Sequence, residues 1–223
     1  MADASDAADP LRIAVAANFL AAAETLAASH ERAGGKAVSF SSASSGVLAA
    51  QIARGAPFDL FLAADRERPV RLFEAGRGTQ PPRCYALGSL VLLGGDSLED
   101  LADAGRSLAI ANPRSAPYGS AALEVLRRGG FPGPGERRIV RGANVQQALQ
   151  FFEAGAADLA LVARSLAPER GIAVPEDRHA SIAQYALVTG SGARGDAARA
   201  FLDFLLSAPA QGRLGDLGYR SCS

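Results

Sequence analysis

The chain has 223 residues, of which 48% are hydrophobic and 21% charged, which is enough apolar material for one large core or two of moderate size. Lysine plus arginine and aspartate plus glutamate number 23 each, so the zero net charge provides no overall field that would attract nucleic acid or an anionic membrane surface. The longest apolar runs, at 90–93 and 159–163, are far shorter than the ~20 residues needed to cross a bilayer, which excludes a membrane-spanning chain.

Strand-like apolar runs recur along the chain, and most of them are followed by a segment with helical periodicity. In chain order, the predicted strands are 11–17, 36–41, 58–64, 85–93, 107–112, 158–163 and 183–189. Strands that are apolar on both faces and alternate with helices are typical of parallel sheets covered by helices. We therefore predict an α/β fold with mixed, mainly parallel sheets.

The length suits two lobes of ordinary domain size. The stretch Pro81–Pro82–Arg83–Cys84 interrupts the pattern just before a long apolar strand, which indicates a joint between lobes. If the strand at 183–189 returns to the first lobe, that lobe is discontinuous. We predict lobe one at 1–83 and 188–223, and lobe two at 84–187.

The N-terminus and the cysteines leave the cellular compartment open. The opening MADASDAADP is acidic and lacks the apolar segment of a secretory signal, so the protein is either cytosolic or represented here by a processed form. Cys84 and Cys222 could pair only if their Cα atoms lie within ~7 Å, and we expect two unpaired thiols. His30 and His179 show no ligand spacing, so we predict no zinc site.

Neutral polar groups stand where predicted strands lead into predicted helices. SSASSG, at 41–46, is one such place; Asn18, Pro117–Ser120 and Asn144 mark three others. A helix start exposes about four unpaired N–H groups and the positive end of the helix dipole, whereas a single side chain caps only one of them. Capping explains each start taken alone. Four such starts together indicate an anion site at the carboxyl edges of the strands.

The charge around these turns narrows the type of anion. AANF, SSASSG and ANVQ contain no lysine or arginine, although Arg114 is near the third helix start. Donors and dipoles without an opposing cation suit an oxyanion whose charge is spread over several oxygens. The turns also lack a carboxylate to accept a proton from the ligand. A fully ionised tetrahedral dianion therefore fits better than a protonated phosphate.

These motifs, in this order, resemble the periplasmic molybdate-binding proteins of ABC importers from about residue 11 to the end. The resemblance is carried by AANF, SSASSG-VLAAQI, GAPFDLFLAAD, NPRSAPYGSAALEVL, ANVQQAL and a terminal LGY. It implies a type II periplasmic-binding fold, with two α/β lobes and a ligand cleft between them. It further implies a periplasmic receptor without a cofactor, not an enzyme, that captures molybdate or tungstate and delivers it to the membrane permease of an importer. We expect a monomer with no nucleic-acid partner.

The resemblance also implies a set of ligand-binding residues, with no protein atom bound to the metal itself. They are Ala17, Asn18, Ser45, Tyr118 and Val145, of which Ala17, Tyr118 and Val145 would act through the backbone. One departure concerns Ala163, which stands where many relatives have a tyrosine, so that one hydroxyl donor is missing. Asn18 stands where some relatives have serine, and its amide can supply the lost donor.

Two alternatives remain. The first, within binding proteins, is a receptor for another tetrahedral oxyanion such as sulfate or phosphate. The second is a nucleotide-dependent enzyme using Gly190–Gly195, GSGARG, which matches G-x-G-x-x-G between a predicted strand and a predicted helix. No strand follows to complete a dinucleotide-binding unit, so we predict a turn there. Asp59 and Asp65 flank a predicted strand and could pair in a cleft, but Asp65 is better placed to cap the next helix.

Overall fold

The structure is a computed structural model that describes residues 9–222. Residues 1–8, which include most of the acidic N-terminal stretch and begin predicted lobe one, lie outside this range. Ser223, the last residue of that predicted lobe, also lies outside it. The described chain divides into two compact units. Unit 1 contains the described residues up to Ala86, then Ala183–Asp216 and the described residues from Arg220; unit 2 contains Leu87–Ile182 and Leu217–Tyr219. The predicted lobe limits at 83/84 and 187/188 stay a prediction.

Ten strands and seven α-helices are formed by the described residues. None of these helices is long and apolar enough to cross a membrane. In chain order the elements are β1 Leu11–Ala16, α1 Leu20–Arg32, β2 Val38–Ala43, α2 Ser45–Ala53, β3 Leu60–Ala63, α3 Glu67–Glu74, β4 Arg83–Gly88, β5 Leu90–Leu93, β6 Leu108–Ala111, α4 Pro117–Gly129, β7 Ile139–Gly142, α5 Val145–Glu153, β8 Leu159–Ala163, β9 Ile172–Ala173, β10 Ile182–Val188, α6 Gly192–Leu205 and α7 Ala208–Asp216.

The first sheet has the strand order β2-β1-β3-β10-β4. Strand β1 pairs in parallel with β2 and with β3, so these three strands end at the same edge. Strand β10 is antiparallel to β3, with Tyr185 opposite Ala63 and Val188 opposite Leu60. Because of this reversal, β10 begins at the edge where β1, β2 and β3 end.

The second sheet has the strand order β7-β6-β8-β5-β9. Strand β6 is parallel to β7 and β8, whereas β5 is antiparallel to β8 and β9. The predicted α/β class with mixed sheets is therefore confirmed, with five strands in each sheet.

One predicted strand was wrong in extent, and two strands were missed. The run predicted at 85–93 forms two strands, β4 and β5, which belong to different sheets. The interruption falls at Ser89, whose carbonyl accepts a hydrogen bond from the Arg164 N–H at 2.9 Å. A single polar residue within an apolar run does not change its periodicity, so the sequence pattern could not show this break. The missed strands, β7 and β9, are short and have weak apolar patterns.

Helices α2 and α3 cover part of the first sheet through an apolar cluster. Leu48 and Ile52 of α2 and Leu72 of α3 pack with Phe61 of β3 and Leu187 of β10. Burial of each such side chain stabilises the fold by roughly 1.5–3 kcal/mol. This packing fixes the start of α2 relative to the ends of the strands.

Helix α1 packs against α6 through a buried imidazole. His30 lies 5.2 Å from Phe201 and 5.1 Å from Phe204, measured between ring centroids. Burial lowers the pKa of His30 below 6.5, and the neighbouring Glu31 opposes this effect without reversing it. His30 is therefore neutral in the folded protein at neutral pH.

We expect His30 to make the protein less stable as the solution is acidified. Its folded-state pKa is depressed, so its stabilising contribution is complete above the unfolded-state value of ~6.5 and is lost as the pH falls through the folded-state pKa. Urea unfolding at pH 7.5 and pH 5.5 would measure the change in free energy of unfolding. In the His30→Phe variant the decrease between these two values should be smaller than in the wild type. An equal decrease in both proteins would contradict this assignment.

The two cysteines form a disulfide, so the expectation of unpaired thiols was wrong. The Cα atoms of Cys84 and Cys222 are 6.1 Å apart, within the usual range for a disulfide. The bond connects the beginning of β4 to the C-terminal segment across a sequence separation of 138 residues. Sequence spacing contains no information about that distance, which depends on the fold returning the C-terminus to unit 1.

Candidate functional site

The turn after β1 places Asn18 at the carboxyl edge of the first sheet. Asn18 is 3% exposed, and its Nδ2 atom donates to Oε1 of Gln184 at 3.0 Å. The Ala17 N–H donates to the Ala43 carbonyl at 3.0 Å, next to the end of β2. This backbone donor is therefore used within the sheet, and the predicted help from the Ala17 backbone is not supported by its hydrogen bonding.

The four serines of SSASSG fall into two pairs. Ser41 and Ser42 belong to the edge strand β2 and are exposed, whereas Ser44 and Ser45 at the start of α2 are 4% and 0% exposed. Oγ of Ser45 accepts a hydrogen bond from the Ala64 N–H at 2.9 Å. Because a hydroxyl that accepts one bond can still donate its own proton, Ser45 remains suited to an acceptor such as an anion.

Ser44 precedes α2 in the capping position but does not cap the helix. Its side chain makes no cap hydrogen bond, and its Oγ atom is one of two buried side-chain polar atoms without a hydrogen-bond partner among the described residues. A buried polar atom left without a partner costs about 1–3 kcal/mol, so each such atom calls for an explanation. The preceding residue, Ala43, accepts the hydrogen bond from the Asn18 turn, which places Ser44 beside that turn.

Buried polar side chains of β4 and β10 reach the end of β3. The Tyr85 hydroxyl lies 3.2 Å from the Ala63 carbonyl and 3.1 Å from Oε1 of Gln184, and both residues are fully buried. Ala63 is the last residue of β3, and the next residue, Ala64, donates to Ser45. Asn18, Ser45, Tyr85 and Gln184 are therefore connected around the end of one strand.

In unit 2, helix α4 begins directly beside the end of β6. Pro117 occupies the first helical position and has no N–H, so Tyr118 carries the first backbone donor of the helix. Gly119 allows the close approach, because a Cβ atom there would lie 2.3 Å from the Ala111 carbonyl oxygen. Tyr118 is 2% exposed.

The Tyr118 phenol stays protonated. Burial raises its pKa well above 10, and the neighbouring Tyr219 raises it further. The neutral ring therefore adds no negative charge that would repel an anion at the start of α4. Tyr219 is itself 3% exposed and belongs to the same unit.

Helix α5 begins beside α4 at the same edge of the second sheet. Strands β6 and β7 are parallel neighbours, with Ala111 opposite Gly142, and both helices follow their carboxyl ends. Asn144 caps α5 by accepting from the Gln147 N–H at 2.9 Å, so its side chain has an ordinary structural role. Val145, 3% exposed, is the first helical residue.

The structure thus groups the five predicted residues by unit. Ala17, Asn18 and Ser45 lie at the carboxyl edge of the first sheet, and Tyr118 and Val145 lie at that of the second. Ala163 ends β8 and is fully buried. The sequence reasoning missed four neighbouring polar residues: Ser44, Tyr85, Gln184 and Tyr219. Ser44 had a local signal because it stood within SSASSG, and Tyr219 stood within the terminal LGY, whereas Tyr85 and Gln184 had none.

The competing motifs have structural roles. The turn predicted at 190–195 was wrong in extent, since α6 begins at Gly192. Arg194, in the first turn of α6, donates through Nε and Nη2 to the Asp59 carboxylate at 2.8 and 2.6 Å, which attaches the start of this helix to the residue before β3. Asp65 accepts from the Arg68 N–H at 2.8 Å, which confirms that it caps the next helix. Among residues 9–222, no group of three or more histidine, cysteine, aspartate or glutamate side chains is arranged to hold a metal ion.

Comparison with known proteins identifies close relatives. The chain is 37% identical to the molybdate-binding protein ModA of Rhodobacter capsulatus, across 92% of this chain and 86% of the relative. It is also 37% identical to ModA of Azotobacter vinelandii, across 92% of this chain and 87% of the relative. These relatives confirm the resemblance to molybdate-binding proteins, and they are solute-binding proteins rather than enzymes.

The structure agrees with this relationship. It superposes on the Azotobacter vinelandii periplasmic molybdate-binding protein with a TM-score of 0.88 and 34% identity, covering 96% of this chain and 100% of that one. A family model for bacterial extracellular solute-binding proteins matches residues 11–220. The chain therefore belongs to the bacterial extracellular solute-binding protein family.

Proposed function

We propose that this protein is a receptor that captures molybdate or tungstate and delivers it to the permease of an ABC importer. The single observation that carries the proposal is the set of neutral donors at helix starts beside the ends of parallel strands. In unit 1 the donors are Asn18 and Ser45, and in unit 2 they are the backbone N–H groups of Tyr118 and Val145. The relatives named for molybdate binding support the same ligand.

The chemistry of the donors favours a fully ionised tetrahedral anion. Helix starts supply N–H groups and the positive end of the dipole, and the side chains add a hydroxyl and a carboxamide. The turns themselves contain no lysine or arginine. Such a site binds through many hydrogen bonds to negatively charged oxygens, each stronger than a bond between neutral groups. The two proposed side chains, Asn18 and Ser45, are not carboxylates, so neither could accept the proton of hydrogen phosphate as a carboxylate would.

Size would then separate molybdate from sulfate. Donors spaced for the longer metal–oxygen bonds leave the smaller sulfate short of several hydrogen bonds. Unmade hydrogen bonds in a site shielded from water are costly, so discrimination can be large. Molybdate and tungstate are close in size, and we expect both to bind.

A thermal-shift and calorimetric comparison of four anions tests the proposal. Molybdate, tungstate, sulfate and phosphate would each be added to the purified protein, with NAD as a nucleotide control. A ligand that binds only the folded state raises its stability in proportion to RT ln(1 + [L]/Kd). We expect stabilisation by molybdate and tungstate. Stabilisation by sulfate or phosphate alone would favour the other oxyanion receptor, and stabilisation by NAD alone would overturn the proposal.

Three serines of SSASSG are expected to give three different results. Ser45→Ala removes a ligand donor and leaves the Ala64 N–H without its acceptor, so molybdate affinity should fall by about 1–3 kcal/mol and ligand-free stability should also fall. Ser44→Ala removes the buried hydroxyl that has no partner, so ligand-free stability should rise by about 1 kcal/mol. If that hydroxyl faces the anion, affinity should fall at the same time.

Ser41→Ala is the matched control for these variants. Ser41 is exposed on the edge strand of the same sheet. The molybdate affinity and the stability of the Ser41→Ala variant should therefore equal those of the wild type. Isothermal calorimetry would provide the affinities and urea unfolding the stabilities. Unchanged affinity in Ser45→Ala would show that this hydroxyl serves only the Ala64 N–H.

Several observations support a periplasmic location. The superposed Azotobacter protein is described as periplasmic. Disulfides persist in oxidising compartments such as the periplasm, and the Cys84–Cys222 bond fits that environment. We propose a monomer that meets the permease after loading. Cell fractionation and size-exclusion chromatography with light scattering would test the location and the oligomeric state.

A further inference from the structure

Gln184 is an unusual residue to bury in the first sheet. It is 0% exposed, yet it occupies a strand whose other buried residues are Ile182, Ala186, Leu187 and Val188. Burying an amide has a cost that only hydrogen bonds can offset, so an apolar side chain would serve packing alone better. The amide therefore suggests a function beyond packing.

The direction of β10 explains how Gln184 reaches the donors. Tyr185 lies opposite Ala63, the last residue of β3, so Gln184 lies at the level where β3 ends. Because β10 is antiparallel to β3, its beginning shares an edge with the ends of β1 and β2. A residue at the start of a strand thereby lies among the helix starts that supply the proposed donors.

Two donors meet at one oxygen of Gln184. Asn18 Nδ2 lies 3.0 Å and the Tyr85 hydroxyl 3.1 Å from Oε1, and the single phenol proton of Tyr85 is shared between Oε1 and the Ala63 carbonyl, which lies 3.2 Å from the hydroxyl. An amide oxygen has two acceptor sites, so these two bonds occupy both and fix the plane of the Gln184 amide. The fixed oxygen in turn directs the NH2 group of Asn18. Phe19 packs edge-on against Tyr85 with ring centroids 4.7 Å apart, which holds the phenol in place.

We propose that Gln184 is a positioning residue that holds the Asn18 carboxamide in its anion-binding orientation, with Tyr85 fixing Gln184. This inference rests on the proposed function, since it requires Asn18 to bind the oxyanion. Gln184 would act without touching the ligand. An amide that is already ordered loses less rotamer freedom on binding, so the arrangement increases affinity by pre-organisation.

A double-mutant cycle distinguishes positioning from simple structural support. Gln184→Met keeps a side chain of similar length but removes both hydrogen bonds. We expect molybdate affinity, measured by calorimetry, to fall about 5- to 10-fold in the wild-type background, which corresponds to the loss of one net hydrogen bond. In the Asn18→Ala background the same substitution should change affinity less than about 2-fold, because the residue that it positions is gone. Tyr85→Phe should show the same pattern with a smaller effect.

The outcomes separate this inference from the proposed function. Equal losses in the two backgrounds, or no loss in the wild-type background, would overturn the positioning role while molybdate binding stands. If the wild type binds none of molybdate, tungstate, sulfate and phosphate, both the function and the inference fail. Unfolding of each ligand-free variant is measured in parallel. Should Gln184→Met fail to fold, the cycle between Tyr85→Phe and Asn18→Ala decides the question by the same criterion.

Discussion

Replacing Asp59 with alanine is expected to lower the free energy of unfolding by about 3 to 5 kcal/mol, the cost of removing one partner from a buried ion pair. The Asp59 side chain is 3% exposed and that of Arg194 is 11% exposed, and Arg194 donates to both carboxylate oxygens. The same carboxylate accepts from the Arg12 N–H at 2.7 Å. The variant therefore leaves a largely buried guanidinium without its charged partner and the Arg12 N–H without its acceptor, whereas the bond from Arg194 Nη2 to the Pro10 carbonyl at 3.0 Å remains.

An exposed ion pair provides the matched control. Nη1 of Arg83 lies 2.8 Å from Oδ1 of Asp203, but the two side chains are 51% and 68% exposed. Asp203→Ala should therefore lower the free energy of unfolding by less than about 1 kcal/mol. Urea unfolding of both variants measures the difference. Asp59 precedes β3 at the end opposite to Ser45, so molybdate affinity should stay within about 2-fold of the wild type in Asp59→Ala. Similar losses of stability in the two variants would contradict the structural role assigned to Asp59.

The helix starts could be predicted from sequence because their signals are local. SSASSG stands between an apolar strand and a helical pattern, and Pro117 marks a first helical position, so neighbouring residues alone locate these turns. The α/β class follows from the alternation of these patterns. The relatives and the structure confirm the class and the family. The individual ligand-binding residues stay proposals.

What the sequence could not show depends on strand direction and on distances across the fold. Gln184 stands near the beginning of an apolar run that gives no sign of a polar site, and only the antiparallel pairing of β10 with β3 brings it to Asn18. The difference between Ser44 and Ser45 is of the same kind. Ser44 immediately precedes α2 and Ser45 begins it, yet the Ala64 N–H donates to the Ser45 hydroxyl and not to that of Ser44.

Removing the Cys84–Cys222 disulfide is expected to lower the free energy of unfolding by about 2 to 5 kcal/mol, the range for native disulfides. The bond closes a long loop, since the two cysteines are separated by 138 positions in sequence, and so it restricts the unfolded chain more than a short loop would. The experiment compares urea unfolding of the oxidised wild type with that of a variant carrying both Cys84→Ser and Cys222→Ser.

Dithiothreitol separates the effect of the bond from the effect of the substitutions. It should lower the stability of the wild type to that of the double-serine variant and leave that variant unchanged. Cys84 is half-buried at the start of β4 and Cys222 lies three residues after the buried Tyr219, so the bond also fixes the segment that follows this tyrosine. Reduction should therefore increase hydrogen exchange at the backbone amides of residues 220–222 more than at those of β1. Equal stability of the oxidised and reduced wild type would show that the folded C-terminal segment is held by its other contacts alone.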